Sequence, residues 1–260
     1  MRTQIARNCT FTLLIILMAV SGMAQAKDSG QWQYSLSPLY LWAKSISGSS
    51  VVGQTSAPLD LAFKDDILEN LDAALAFHFE ARKGDITLFA EYNFARLDPS
   101  AKGQIGPAPV KLSLDFEDTM IEAGARYSFY ANEKTDWQVL GGVRWMEQDI
   151  DLRFGRTALP TPRRLTGGDD WWHGFAGLRV THTISDQWTF IARGDVGYRD
   201  GDNQAAQAIA MFDYRFRDWG SFFAGYRYLE TDYSNDKSGR QGYAFDAEQQ
   251  GPLLGLNFYW

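Results

Sequence analysis

The chain has 260 residues, with 32 acidic against 25 basic side chains and a formal net charge of -7, a balance that excludes the basic character expected of a nucleic-acid binder. Its one cysteine, Cys9, leaves no means of building a disulfide framework or a thiolate metal site in the exported chain. Aromatic residues reach 15% beside 22% charged residues, a mixture that suits an apolar exterior around a polar interior.

At the N-terminus, Arg2 and Arg7 precede an apolar run from Cys9 to Val20, and Ala24-Gln25-Ala26 supplies small residues at the cleavage positions. This order predicts a secretory signal peptide over 1–26 and one outer-membrane domain over 27–260. The apolar core is about a dozen residues, short of the roughly 20 that a helix needs to cross a bilayer. No later segment approaches that length, so a membrane could be crossed only with strands.

From Gln31 to Ala43, alternation puts Trp32, Tyr34, Leu36, Pro38, Tyr40 and Trp42 on one face and Gln33, Ser35 and Ser37 on the other. The stretch Ser45 to Asp72 is less regular. Pro58 to Phe63 reads as a separate strand, and Asp66 with Glu69 forms a capping box for one short loop helix bearing Ile67, Leu68 and Leu71 on one side. Next, Leu75, Phe77 and Phe79 oppose His78, Glu80 and Arg82. After the turn Lys83-Gly84-Asp85, Ile86, Leu88, Ala90, Tyr92 and Phe94 oppose Thr87, Glu91 and Asn93, which makes a hairpin.

Lys111 to Arg126 carries Glu122 and Arg126, and its alternation slips near Glu117-Asp118 in the manner of a bulge. Two-faced segments recur through Arg144 and Arg179, then from Trp188 to Tyr198, Gln207 to Arg217 and Ser221 to Tyr228. A helical period of 3.6 would not sort residues in this way. Short connections at Lys83 to Asp85, Ala131 to Asp136, Ser185 to Gln187 and Arg217 to Asp218 alternate with longer ones at Ser45 to Asn70, Pro99 to Ala108, Gly155 to Gly168, Asp200 to Asn203 and Ser234 to Gly242. Short periplasmic turns and longer external loops are the habit of an outer-membrane barrel. The expected fold is therefore all-β, a transmembrane antiparallel up-and-down barrel of about ten strands, with eight or twelve as alternatives.

Tryptophan positions add a second line of argument. Trp32, Trp137, Trp188, Trp219 and Trp260 fall at the periplasmic ends, and Trp42, Trp145 and Trp172 at the outer ends, as two interfacial girdles would. The spacing from Trp32 to Trp42 rises about 25 Å at a tilt near 40°. The chain closes on Leu254, Leu256, Phe258 and Trp260 alternating with Gly255, Asn257 and Tyr259, which resembles the C-terminal strand read by the barrel assembly machinery.

The segments Ala224-Gly225-Tyr226-Arg227-Tyr228-Leu229 and Gly251-Pro252-Leu253-Leu254-Gly255-Leu256, with Pro38-Leu39-Tyr40-Leu41-Trp42 and Asp65 to Leu71 earlier, resemble a recurring group of uncharacterised proteobacterial outer-membrane barrel proteins. The resemblance implies a barrel in the outer membrane of a Gram-negative bacterium. It implies no chemistry, since its motifs are structural.

The polar face assembles one conspicuous set: Glu80, Arg82, Glu91, Glu122, Arg126, Arg144, Arg179, Arg193, Asp195, Asp213, Arg215 and Arg227. In a narrow barrel these residues are expected to interlock as a lumenal charge ladder, and the alternative is a narrow channel for small polar solutes. Arg153, Arg156, Arg163 and Arg164 cluster near the outer rim, where guanidinium groups could meet lipopolysaccharide phosphates.

Two hydrolase arrangements complete the inventory. His182 with Ser185 lies three residues apart, so the two side chains would point to opposite faces, and His173 with Asp169 or Asp170 reads better as a rim histidine than as a water-activating pair. No catalytic residue, metal or cofactor is expected, because no zinc spacing, nucleotide fingerprint or phosphate-cradling loop appears. The expected partners are outer-membrane lipid, lipopolysaccharide and the assembly machinery, with an interaction barrel ahead of a channel and a lipid A or peptide hydrolase third.

Overall fold

A computed structural model describes residues 30–38, 40–53, 55–63, 71–97, 100–105, 108–156, 163–201 and 203–260. The expected signal peptide and the short helix expected around Asp66 and Glu69 lie outside the described residues. The strands are β1 (Gln33–Ser37), β2 (Tyr40–Trp42), β3 (Ser45–Val52), β4 (Thr55–Leu61), β5 (Leu71–Lys83), β6 (Ile86–Leu97) and β7 (Ser100–Ile105). They continue as β8 (Ala108–Ala131), β9 (Thr135–Arg156), β10 (Arg163–Thr183), β11 (Trp188–Tyr198), β12 (Gln204–Arg217), β13 (Gly220–Ser234) and β14 (Tyr243–Tyr259).

Every pairing is antiparallel, and the ring closes where Ser35 and Leu36 of β1 meet Tyr259 and Phe258 of β14. Taking β1, β2 and β3 as one interrupted stave, the order β1-β5-β6-β8-β9-β10-β11-β12-β13-β14 is a barrel of ten staves. Closure satisfies the backbone groups that an open edge would leave exposed. The β4 strand adds to β3 and β7 adds to β8, so the loop-side connections at these places are hairpins.

Local sequence explains the turns. Gly84 has φ 58° in the two-residue connection between Lys83 and Ile86, a left-handed conformation that glycine adopts without a Cβ clash. At the other end the strands run further than alternation suggested, and β9 and β10 still pair at Arg163 with Phe154. The 24 residues of β8 climb about 60 Å at a tilt near 40°. That is more than twice the roughly 25 Å apolar band of an outer-membrane barrel, so this wall stands well clear of the belt.

The outward face carries Leu75, Phe77, Ile86, Leu88, Ile121, Val139, Val143, Leu178, Val196, Phe212, Phe222, Leu254 and Leu256, all large, apolar and exposed. So wide an apolar surface requires a non-aqueous neighbour. At its turn-side margin Trp32, Trp137, Trp188, Trp219 and Trp260 are exposed, with Trp219 stacked on Phe258 at 6.0 Å. At the other margin Trp172 faces out under the Arg199 guanidinium at 4.8 Å, paired across the ladder with the half-buried Trp145.

Two sequence expectations are overturned. Trp42 is no girdle residue: Ser37 and Tyr40 both point inward, three positions apart, because the strand breaks at Pro38 and resumes with its parity reversed. Trp42 therefore lies inside the barrel, beneath the Arg227 guanidinium at 4.6 Å. The expected bulge at Glu117-Asp118 is also absent, since β8 and β9 keep one register from Val110 to Ser128 and shift only before Tyr130. Phe116 and Met120 are inward and apolar, so hydropathy slipped while geometry did not.

Candidate functional site

The most concentrated chemistry among the described residues is the belt of charge inside the barrel. Strand parity aims it: residues two apart on β8, β9, β11 and β13 share the inward face, which brings Glu122, Arg144, Asp195 and Arg227 into one space. Arg144 Nε donates to Glu122 Oε1 at 2.7 Å and its Nη2 to Asp195 Oδ1 at 2.8 Å, and neither side of these pairs is exposed to solvent. Arg227 donates through Nη1 to Glu91 Oε1 at 2.5 Å and through Nη2 to Glu122 Oε1 at 3.2 Å. Arg193 sits 2.8 Å from Asp195 and 3.0 Å from Glu122, at angles outside hydrogen-bond geometry.

A second group lies beside the first. Glu80 accepts from Arg179 at 3.2 Å and is 2.6 Å from Arg126, and His78 bridges Glu80 at 2.9 Å and Glu91 at 3.1 Å. Five guanidinium groups thus face Glu80, Glu91, Glu122 and Asp195, and the interior is close to electrically balanced. Such burial of ions is tolerable only when partners and geometry compensate lost hydration.

Aromatic rings supply some of that compensation. Phe89 and Phe175, both buried, lie 5.1–5.4 Å from the guanidinium carbons of Arg126, Arg144 and Arg193, where their faces attract cations. Their space is made by glycine: a Cβ on Gly124 would lie 2.8 Å from Phe89 Cζ, and one on Gly142 2.8 Å from Phe175 Cζ.

The remaining ladder residues sit nearer the turns. Arg82 Nη2 lies 3.5 Å from Asp136, Asp213 accepts from Ser221 Oγ at 2.5 Å and Asn257 Nδ2 at 3.1 Å, and Arg215 covers the Tyr259 ring at 4.5 Å. Toward the loops the interior turns apolar, with Ile46, Met120, Met146, Leu229 and Phe245 fully buried and Trp171 stacked on Tyr233 at 4.3 Å. Lys44 pairs with Asp118 within that half, an ion pair that alternation did not reveal because it follows the break at Pro38.

The hydrolase arrangements do not come together. His182 Nδ1 is 2.9 Å from Thr135 Oγ1, while Ser185 Oγ accepts from Trp188 N at 3.2 Å. His173 is no rim residue: it is completely buried with Nε2 at 3.3 Å from Arg144, whereas Asp169 takes Tyr233 and Asn235 and Asp170 takes Trp145. Its parity, shared with Trp171 and Phe175, points it into the lumen.

On the loop-side extension, Arg153 and Arg164 converge on Asp151 at 2.7 and 2.6 Å. Their hydrogen bonds hold the Asp151 carboxyl down at about 2. The groove beside them is lined by Asp115, Glu117 and Asp149 as well, so this face carries both signs. The side chains of Arg156 and Arg163 lie outside the described residues.

A family model described as a protein of unknown function, DUF481, matches residues 112–241. No curated protein matches the sequence. Among solved structures, the translocator domain of autotransporter NalP from Neisseria meningitidis is similar at a TM-score of 0.50 and 13% identity, over 89% of this chain and 90% of that one. The outer membrane protease OmpT from Escherichia coli aligns at a TM-score of 0.48 and 8% identity, over 88% of this chain and 96% of that one. At 13% identity the likeness to the NalP translocator domain is one of fold alone.

Proposed function

The chain belongs to the DUF481 family, described only as proteins of unknown function, and we propose that this member is an integral outer-membrane barrel with a closed lumen, acting as a structural or interaction protein. The observation that carries the reading is Arg227 on β13 reaching Glu122 on β8, strands five staves apart in a ring of ten and so on opposite walls. A lumen whose charges are spent on one another across its full width leaves none facing a passing solute. Catalysis has no role in this reading, in which His78 belongs to the lumenal ion network, His182 and Ser185 take separate partners and His173 lies beside Arg144.

The apolar belt and its tryptophan margins support placement in the outer membrane, with the C-terminal strand offered to the assembly machinery. The exposed guanidinium groups of Arg153 and Arg164 on Asp151 support a contact with lipopolysaccharide phosphate. Planar-bilayer recording of the refolded chain tests the central point. We expect no stable single-channel steps; reproducible unitary conductance would replace the closed barrel with the narrow channel.

A further inference from the structure

The wall of the barrel has a seam. The β1 and β5 strands pair only from Gln33 with Arg82 to Ser37 with His78. Beyond that point β2 and β3 run along β14, and β3 gives its other edge to β4. Residues 71–77 of β5 then pair with β6 alone among the described residues. Where the two staves diverge, a cavity of about 560 Å³ opens through the wall, a size typical of small-molecule sites, which run from roughly 300 to 1,000 Å³.

The cavity joins two environments. Its outer lips are Leu41, Leu75 and Leu254, members of the exposed apolar belt, and its inner end is reached by Trp42 and Asn93. Ala76 also lines it and contributes only a methyl group. An apolar slot continuous with the lipid-facing surface suits a hydrocarbon chain.

Its inner end asks for an acceptor. Trp42 is over nine-tenths buried, and its indole N–H has no hydrogen-bond partner among the described residues, although buried donors are almost always satisfied. The Lys44 ammonium and the Arg227 guanidinium flank the same ring at 5.0 and 4.6 Å, each held by its own carboxylates, Asp118 for Lys44 and Glu91 with Glu122 for Arg227, so the indole hydrogen is left as a donor to a ligand.

We propose that this cavity binds one long-chain fatty acid, admitted sideways through the seam, with its chain against the apolar lips and its carboxylate accepting the Trp42 indole hydrogen. The inference uses the proposed membrane setting of the outer wall but does not depend on whether the lumen conducts. The test is native mass spectrometry of the full chain, refolded in detergent and titrated with palmitate, with heat-modifiable gel migration reporting separately on barrel integrity.

A single saturable palmitate adduct is expected. Ala76→Phe, or Ala74→Phe as an independent filling variant on the same strand, should weaken it at least tenfold, and Trp42→Phe several-fold. Absence of an adduct on an intact barrel, or undiminished binding in folded filling variants, would overturn the proposal. So would displacement of palmitate by an equal concentration of diacyl phospholipid, which would make bilayer lipid the occupant. Loss of heat-modifiable migration in the parent would instead count against the barrel in its membrane.

Discussion

At the scale of single residues, Glu122 is the junction of the interior. It meets Arg144, Arg193 and Arg227 at once with no exposure of its own. Replacing it by alanine removes one carboxylate from three buried guanidinium groups, leaving Arg144 and Arg193 to Asp195 and Arg227 to Glu91, and removing one partner of a buried pair costs about 3–5 kcal/mol. Urea unfolding of Glu122→Ala in lipid should show a loss of that order, and an unchanged midpoint would mean that the network contributes nothing to stability.

Asp151 is a contrasting residue, because its partners lie on the projecting wall. Its carboxyl is held at about 2 against an ordinary 3.8 by hydrogen bonds from Arg153 and Arg164. A depressed carboxylate contributes stability above its unfolded value and loses it as pH falls through its folded one. That contribution is therefore complete at neutral pH and disappears between about pH 4 and pH 2. Carbon-detected NMR titration should move the Asp151 midpoint back toward 3.8 in a chain lacking both guanidinium groups, and an unmoved midpoint would assign the shift to another cause.

The inward placing of Glu91, Glu122, Arg126, Arg144, Arg193, Asp195, Asp213 and Arg227 was readable from parity alone. The partners were not. Which carboxylate meets which guanidinium depends on stagger around the whole ring, and Phe89 and Phe175 escaped notice because an inward aromatic looks like an outward one in hydropathy.

At the scale of elements, the strands carry their own spacers. Gly142 on β9 admits the Phe175 ring and lies so close to the Ala123 carbonyl oxygen that an added Cβ would clash with it. Gly142→Ala must displace the ring or push neighbouring strands apart, and overpacking of this kind costs about 1–3 kcal/mol. Thermal unfolding of the refolded variant should show that destabilisation, and an unaltered melting temperature would show that the wall yields freely. Glycine inside a strand is a recognisable mark of close approach, but what approaches is set by the neighbouring stave.

Elements also account for the misreadings. Pro38 reversed the parity of one stave, carrying Trp42 from the expected girdle into the lumen. The outer half of the same interior mixes apolar Met120, Met146 and Leu229 with buried Asp118, Gln148 and Gln249, so alternation faded on β8 just where the structure is regular. Hydropathy reports a residue's surroundings only when one face is greasy and the other wet.

At the scale of the whole molecule, ten staves enclose a space narrow enough for side chains from opposite walls to meet. Silence in bilayer recording is the consequence that belongs here, since no single residue closes the lumen. The barrel is filled by charge at mid-height and by aromatic and aliphatic side chains toward the loops. A breach leads sideways through the wall between β2 and β5, where the first stave leaves its partner.

Period-two alternation, turn residues and the margins of tryptophan determined, from the sequence alone, that the chain makes a two-faced antiparallel sheet with its polar side turned in. These are local properties, legible because each depends on residues a few positions apart. Tertiary structure decided the ion pairs of Glu122, the interior place of Trp42 and His173, and the seam beside β5. Each of those depends on how distant strands are staggered when the sheet closes, a relation that no single segment of sequence contains.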